Sequence, residues 1–284
     1  MKLRTYFKTS LADTVTPLGM YLRIRDKFPG SILLESTDSH AQEHCMTFIA
    51  IEPIAGFQAE GLQVTNWTVE DAATVRNFDH GSEVLSAFAE FTEKFEVLAE
   101  PELPKQIANG FFGYAGFNAV QYFEDIAFDS PYDSERCIPD LCYQMYRYVI
   151  AVDHFRHRRY IAINTDEPQE AAFDEIQKLE QMLSAGDVLK TRFSLDGTEV
   201  SNMTDEQHEA MIVKCKEHIA RGDIFQIVPS RRFTQKYQGD DMLVYRVLRS
   251  INPSPYLFYF DYGSFRLIGS SPEAELITAN GKAM

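Results

Sequence analysis

The 284-residue chain has no apolar run of about 18 or more residues, so it contains no segment that would span a bilayer as a helix. Residues 1–8 carry charges but no apolar run follows them, which excludes a secretory signal peptide. The four cysteines show no Cys-x-x-Cys spacing, and in a chain of this size they are typical of reduced, mostly buried thiols. These absences predict a soluble protein of the cytoplasm.

Positive charge is also scarce, because 27 Lys and Arg stand against 42 Asp and Glu, a net charge of −15. Non-specific nucleic-acid binders need a basic surface, and anionic lipid headgroups would repel this chain. We therefore expect neither nucleic acid nor membrane among its partners. The 21 Phe and 14 Tyr supply the apolar area of a folded domain and exclude general disorder.

Common catalytic motifs are missing: there is no Gly-x-Ser-x-Gly, no Gly-x-Gly-x-x-Gly and no Walker loop. The glycines of residues 110–116 lie inside an aromatic segment and predict a strand where backbones approach closely. His40 and His44 have no third ligand at a familiar spacing, and His154 and His157 lie among arginines. Both pairs are interpreted as surface histidines, and no metal site is predicted.

Hydrophobic periodicity predicts an α+β fold with mainly antiparallel sheets and flanking helices. Thr204 and Gln207 form a capping box for a helix that Gly222 ends, and Gly263 centres a hairpin turn. The expected strands are 31–36, 46–51, 110–117, 143–153, 159–164, 224–228, 256–262 and 265–268, and the expected helices are 82–98 (capped by Ser82), 167–184, 205–221 and 241–251.

The domain organisation follows from a polar stretch near residue 190. We expect an N-terminal α+β region over 1–185, a linker over 186–203 and a second domain over 204–284. The second domain would have only 81 residues (284 − 203) for the large sheet that its strands begin. A truncated protein is therefore expected.

Two segments have a possible binding function. Leu33-Leu34-Glu35-Ser36 is an apolar strand that ends in a carboxylate and a hydroxyl, and residues 252–256 form a rigid segment with two prolines. Together they offer the groups that would hold a zwitterionic amino acid. Taken singly, each segment is better explained as a strand end or a helix stop than as a binding element.

Read in order, these motifs and their neighbours resemble component I of anthranilate synthase, a family of chorismate-using enzymes. The first segment resembles the LLES element of that family, and the segment at 252–258 resembles NPSPYMFF. The further matching segments are Phe48–Pro53, Gly113–Val120 with Glu124, Ile138–Asp140, Gly222–Phe233 and Gly269–Glu273.

The resemblance implies that chorismate and ammonia are converted to anthranilate and pyruvate with Mg²⁺. It implies that a glutamine amidotransferase subunit supplies the ammonia, and that L-tryptophan inhibits the enzyme by feedback. The residues that correspond to the family's tryptophan site are Glu35, Ser36, Asn252, Pro255, Tyr256 and Leu257. Leu257 stands where Met is commoner, a change that conserves volume.

Gln226 corresponds to a strand position at the chorismate site. Related enzymes that attack the ring with water have Lys there as a base, whereas ammonia needs no deprotonation and a neutral amide is sufficient. A buried amide bonded to backbone is the alternative for Gln226.

The family's main catalytic and Mg²⁺-binding motifs are not found in these 284 residues. We therefore expect this chain alone to lack metal ligands and productive chorismate binding. Two rivals are aminodeoxychorismate synthase component I, against which Pro253-Ser254-Pro255-Tyr256 argues, and a stand-alone amino-acid-binding module.

Overall fold

A computed structural model describes residues 1–36, 45–104, 107, 110–126, 128, 138–185, 188, 191–274, 276–279 and 282–283. These residues form two compact units. Unit 1 comprises Met1–Leu189 and Leu248–Met284, and unit 2 comprises Lys190–Val247. The chain therefore returns to unit 1 after residue 247, whereas the predicted division at 186–203 placed everything beyond it in a second domain.

Helices are interspersed among runs of strands along the described chain. The helices are α1 (Pro17–Ile24), α2 (Gly81–Glu93), α3 (Val120–Phe123), α4 (Gln169–Ser184), α5 (Asp205–Arg221) and α6 (Met242–Ile251), with a 3-10 turn at Phe117–Ala119. The strands are β1 (Lys2–Leu11), β2 (Ile32–Ser36), β3 (Met46–Glu60), β4 (Gln63–Thr68), β5 (Thr74–Asn77), β6 (Glu96–Ala99), β7 (Phe111–Ala115), β8 (Leu141–Asp153), β9 (Arg158–Thr165), β10 (Phe193–Ser201), β11 (Phe233–Gly239), β12 (Tyr256–Asp261), β13 (Arg266–Ser271), β14 (Thr278–Ala279) and β15 (Lys282–Ala283).

One large sheet organises unit 1. Its strand order is β13-β12-β2-β3-β8-β9-β1-β6, with β4 paired to β3, β5 paired to β4 and β7 paired to β8. Every pairing is antiparallel except that of β1 with β6. The predicted α+β class with mainly antiparallel strands is therefore confirmed.

The core of unit 1 lies on both faces of this sheet. Helix α4 buries Ile176, Leu179 and Leu183, which recur at helical spacing, and it contacts β1, β9 and α1. Helix α2 buries Phe91 beside Phe57 of β3, with ring centroids 5.7 Å apart. Because β3 and β8 are covered on both faces, they read as nearly continuous apolar runs.

Two boundaries in unit 1 differ from the sequence prediction. Strand β3 does not end before Pro53: the register shifts between Pro53 and Ala55, and pairing continues to Glu60, because a bulge accommodates the proline. Helix α2 begins at Gly81, so its N-cap residue is His80 and the prediction of Ser82 is wrong. The Glu83 carboxylate accepts the His80 backbone N–H at 2.9 Å. The helix ends at Glu93 because the following residues enter strand β6.

Unit 2 also departs from prediction at two places. Residues 193–201, assigned to a linker, form β10 paired with β11, since an exposed polar hairpin looks like a linker in sequence. Residues 224–228 form no strand, because no described strand pairs with them, and Phe225 is 92% exposed. Helix α5 is confirmed, with the Thr204–Gln207 box and Gly222 at φ 82°.

The remaining predicted elements are confirmed. Strands β8 and β9 form the hairpin around residues 154–157, and β12 and β13 form the hairpin at Gly263, where φ is 80°. Helices α4 and α6 occupy the expected ranges. None of the helices among the described residues has the length and apolar character needed to cross a membrane.

Candidate functional site

Strand pairing brings the two possible binding segments together. Strand β2 pairs with β12 in antiparallel register, so that Ser36 lies opposite Tyr256 and Glu35 lies opposite Leu257. Four of the six residues expected at the amino-acid site thus become cross-strand neighbours.

The other two residues, Asn252 and Pro255, lie in the loop between α6 and β12. The Ser270 Oγ donates to the Asn252 backbone oxygen at 2.8 Å, and the Ser254 Oγ donates to Asn252 Oδ1 at 3.3 Å. The first bond holds the loop against the neighbouring strand β13, and the second lies within the loop. The two prolines add fixed φ angles, so the loop is stiff where it meets β12.

The four strand residues divide between the two faces of the sheet. Directly opposed residues of an antiparallel pair share a face, and successive residues alternate. Glu35 and Leu257 therefore share one face and are both buried, whereas Ser36 and Tyr256 share the other and are partly exposed. A ligand on one face meets only half of the predicted set through strand side chains.

Glu35 forms an ion pair with Arg249 that includes one hydrogen bond. The Arg249 Nε lies 2.9 Å from Glu35 Oε2, and its Nη2 donates to Glu35 Oε1 at 3.2 Å. The Glu35 side chain is only 3% exposed, whereas that of Arg249 is 40% exposed. A buried carboxylate needs such a partner, because an unpaired charge in this position is strongly destabilising.

His154, in the turn after β8, lies close to the Glu35–Arg249 pair. His154 Nε2 and Thr47 Oγ1 share a hydrogen bond of 2.8 Å, and Thr47 lies opposite Glu35 in the β2–β3 pair. Burial lowers the pKa of His154 below its ordinary value, and the carboxylates of Glu35 and Asp153 partly oppose that change. His154 is thus half-buried, and the prediction that it is a solvated surface histidine is wrong.

Gln226 occupies a different environment. It lies in unit 2, in the irregular segment after α5, and its side chain is exposed. The alternative of a buried amide bonded to backbone is therefore wrong for this structure.

Cysteines and acidic residues form no special centre in the part of the chain that is described. No group of three His, Cys, Asp or Glu residues there is arranged to hold a metal ion. Cys45, Cys142 and Cys215 are free thiols, of which only Cys142 is buried, fewer than predicted. His40, His44 and Cys137 lie outside the described residues.

Sequence reasoning missed Arg249, Thr47 and His154. Arg249 occupies the last turn of an amphipathic helix, where a cation is usual beside the carboxyl end of the helix dipole. Its partner Glu35 is 214 residues away, so only the folded chain reveals the pair. The one sequence signal was its position three residues before Asn252.

Comparison with known proteins decides the family. The model of the family described as chorismate binding enzyme matches residues 32–283 of this chain.

The chain belongs to the chorismate binding enzyme family.

Two similar proteins are both named as subunits of anthranilate synthase. The chain is 30% identical to "Anthranilate synthase component 1" of Pseudomonas putida over 93% of its own length and 55% of that protein. It is also 30% identical to "Anthranilate synthase alpha subunit 2, chloroplastic" of Arabidopsis thaliana, over 97% and 48%. The chain therefore spans about half the length of these curated relatives, and the predicted resemblance to anthranilate synthase component I is confirmed.

A solved structure agrees on the fold of this family member. The crystal structure of anthranilate synthase component I from Streptococcus pneumoniae TIGR4 matches 96% of this chain and 59% of that chain, with a TM-score of 0.64. Sequence identity in that match is 22%, so the likeness concerns the fold alone.

Proposed function

We propose that this chain contributes the effector-binding part of an anthranilate synthase component I. The whole protein would convert chorismate and ammonia to anthranilate and pyruvate in tryptophan biosynthesis, with L-tryptophan as feedback inhibitor. The observation that carries the proposal is the register of β2 against β12, which puts Ser36 opposite Tyr256 in a chorismate-binding family member. The names of the similar proteins support the same reaction.

The proposal includes a glutamine amidotransferase subunit as the ammonia source, a cytoplasmic location and Mg²⁺ as the cofactor of the whole protein. The designation "component 1" of the relatives is consistent with a partner component. The described residues do not gather a ligand set that fits Mg²⁺.

The effector would lie against the end of β2 and the Asn252–Leu257 segment. The Ser36 hydroxyl and nearby backbone groups offer hydrogen bonds to the polar end of the amino acid. Pro255 and the Tyr256 ring offer flat apolar surface to the indole. Tryptophan would then favour a less active state by its differential affinity for that state.

Gln226 belongs to the proposed chorismate site. A neutral amide there orients a nucleophile that needs no deprotonation, which agrees with ammonia as the attacking group. Its exposure means that the groups completing this site are not among its described neighbours. We therefore expect the chain alone to show no synthase activity.

A calorimetric titration of the full 284-residue chain with L-tryptophan tests the proposal, with L-phenylalanine and chorismate as controls. We expect tryptophan to bind and both controls to give no heat. Ser36→Ala and Pro255→Ala should each weaken tryptophan binding by about fivefold or more, the worth of about one hydrogen bond or packing contact. Ser264→Ala, at the exposed hairpin turn, is the matched control.

Two outcomes of the titration would contradict the proposed effector site. Equal binding of phenylalanine and tryptophan would contradict a tryptophan-specific effector site. Undiminished tryptophan binding by both Ser36→Ala and Pro255→Ala would show that the site lies elsewhere.

A further inference from the structure

We propose that four exposed apolar side chains between β7 and β8 form the docking surface for a second protein component, one that presents an apolar pocket with a basic rim. These side chains, called here the aromatic patch, are Phe117, Phe123, Ile126 and Phe128. The inference rests on the proposed function, which includes a partner subunit. It deepens that proposal by assigning the partner to a particular surface of unit 1.

The aromatic patch exposes large apolar side chains close together. Phe117 is 84% exposed and Phe123 is 63% exposed, and Ile126 and Phe128 are exposed as well. The rings of Phe117 and Phe128 stack on each other, with centroids 5.4 Å apart and an interplanar angle of 27°. Single exposed apolar residues are ordinary on a protein surface, whereas a cluster of them marks an interaction site. The clustering therefore indicates contact with another molecule.

Hydrogen bonds fix the base on which the patch stands. The Tyr122 hydroxyl lies 2.6 Å from the Gly61 backbone oxygen and 3.1 Å from Asp140 Oδ2, and Tyr122 is buried. The same Asp140 oxygen accepts the Gly61 backbone N–H at 2.8 Å. One side of α3 is thus attached to unit 1 while Phe117 and Phe123 remain exposed. A partner would bind a surface that is already ordered, which lowers the entropic cost of association.

Helix α2 also supports this base. A Cβ atom at Gly81 would lie 2.5 Å from the Gln121 backbone oxygen and 3.0 Å from Tyr122 Cα, so the backbones of α2 and α3 are in close contact. The sequence segments Gly113–Val120 and Ile138–Asp140 have no part in the proposed effector site. Both belong to the aromatic patch or to its base, and the docking surface gives them a function.

The charges beside the patch distinguish among its possible occupants. Glu124 and Asp125 are exposed and lie between Phe123 and Ile126 in the sequence. Anionic lipid headgroups would repel these carboxylates on a chain of net charge −15. A symmetric dimer would use the same patch on both copies and so bring like charges together. A different protein, with basic residues around an apolar pocket, complements both the rings and the carboxylates.

Surface plasmon resonance with the separately purified glutamine amidotransferase subunit tests the patch. The subunit is passed over the full 284-residue chain and over its Phe117→Ala and Phe123→Ala variants. We expect each variant to weaken binding at least tenfold, because aromatic residues buried at the centre of a contact are typical hot spots. Phe155→Ala, which removes an exposed phenylalanine beyond the other end of β8, is the matched control and should bind as the unaltered chain does.

Two further variants test the rim and the base. The double variant Glu124→Gln/Asp125→Asn should lower the association rate constant by about threefold at low salt and by less at high salt. Glu70→Gln/Asp71→Asn changes the net charge equally at another exposed pair and should leave that rate constant unchanged. Tyr122→Phe keeps the patch but removes the anchoring hydroxyl, so it should weaken binding by about fivefold. Urea unfolding confirms that each variant is folded.

Unchanged affinity in both phenylalanine variants would overturn the inference and leave the proposed partner in place. If the unaltered chain does not bind the amidotransferase subunit, the inference and the proposed partner fail together, while the tryptophan titration still tests the effector site. Sedimentation of the chain alone and with phosphatidylcholine–phosphatidylglycerol vesicles detects the other occupants. Self-association or vesicle binding that Phe117→Ala abolishes would assign the patch to a second copy or to lipid, and either result would contradict the inference.

Discussion

Gly113 shows how a single residue determines whether two strands can approach. In strand β7 its position leaves no room for a side chain, because a Cβ atom there would overlap the Cys142 carbonyl oxygen and lie 2.7 Å from Tyr143 Cα. We expect Gly113→Ala to lower the free energy of unfolding by about 3 kcal/mol, since backbone must move to admit the methyl group. Urea unfolding followed by the fluorescence of Trp67, the single tryptophan, measures this change.

Gly110 provides the matched control for this substitution. A Cβ atom at Gly110 has no atom within 4 Å, so Gly110→Ala should unfold like the unaltered chain. If Gly113→Ala and Gly110→Ala were equally stable, the close approach of β7 and β8 would be wrong.

His154 makes stability depend on pH. Burial lowers its folded-state pKa, so the unfolded chain binds more protons around and below the ordinary histidine pKa of about 6.5. Its contribution to stability is therefore present above that pH and is lost as the pH falls. We expect the chain to lose stability between about pH 7.5 and 5.5.

His154→Gln removes this titration and is expected to flatten the profile over the same interval. Urea unfolding at several pH values measures the difference between the two proteins. Groups that titrate in both proteins cancel in that difference, including Glu52, whose pKa burial raises. Parallel profiles for the two proteins would contradict the assignment to His154.

At the residue scale, the sequence draws attention to positions whose chemistry is visible locally and gives no sign of contacts that depend on a distant partner. Ser36 and Pro255 stand out because a hydroxyl ends an apolar strand and a proline interrupts a helix-to-strand connection. Arg249 and His154 do not stand out, because a helix-end arginine and a turn histidine are commonplace. Their contacts are with Glu35 and Thr47, which lie beside them only in the folded sheet.

Helix α5 shows what local sequence achieves at the scale of an element. Thr204 Oγ1 accepts the Gln207 backbone N–H at 3.2 Å, and the Gln207 side chain accepts the Thr204 N–H at 2.9 Å. Thr204→Ala should destabilise the helix by about 1 kcal/mol, and Thr204→Ser should preserve it. Hydrogen exchange of the first-turn amides of α5 reports the change, and unaltered exchange in Thr204→Ala would contradict the capping role.

The elements that sequence failed to predict share a physical cause. Residues 224–228 have the apolar composition of a strand, but a strand needs a hydrogen-bonding neighbour. Residues 193–201 look like a linker, yet they gain that neighbour from β11, 39 residues away at the Gln235–Asp196 contact. Helices α4 and α5 were predicted correctly because a helix forms its backbone hydrogen bonds within its own segment.

At the scale of the whole molecule, sequence predicted the fold class but not how the chain divides. Antiparallel strands and flanking helices follow from periodicity, since each hairpin joins segments that are adjacent in sequence. Periodicity does not predict that residues 248–284 belong to unit 1, because their place there depends on the pairing of β12 with β2. The sequence of neither strand indicates that these two strands pair with each other.

That discontinuity has a consequence for synthesis on the ribosome. Glu35 leaves the ribosome 214 residues before Arg249, an interval of roughly 10 to 40 seconds at about 5–20 residues per second. Throughout that time the edge of β2 has no β12 to cover it, and Ile32, Leu33 and Leu34 are the side chains beside that edge. A nascent chain stalled before Tyr256 would therefore be a substrate for chaperones that recognise exposed apolar strands.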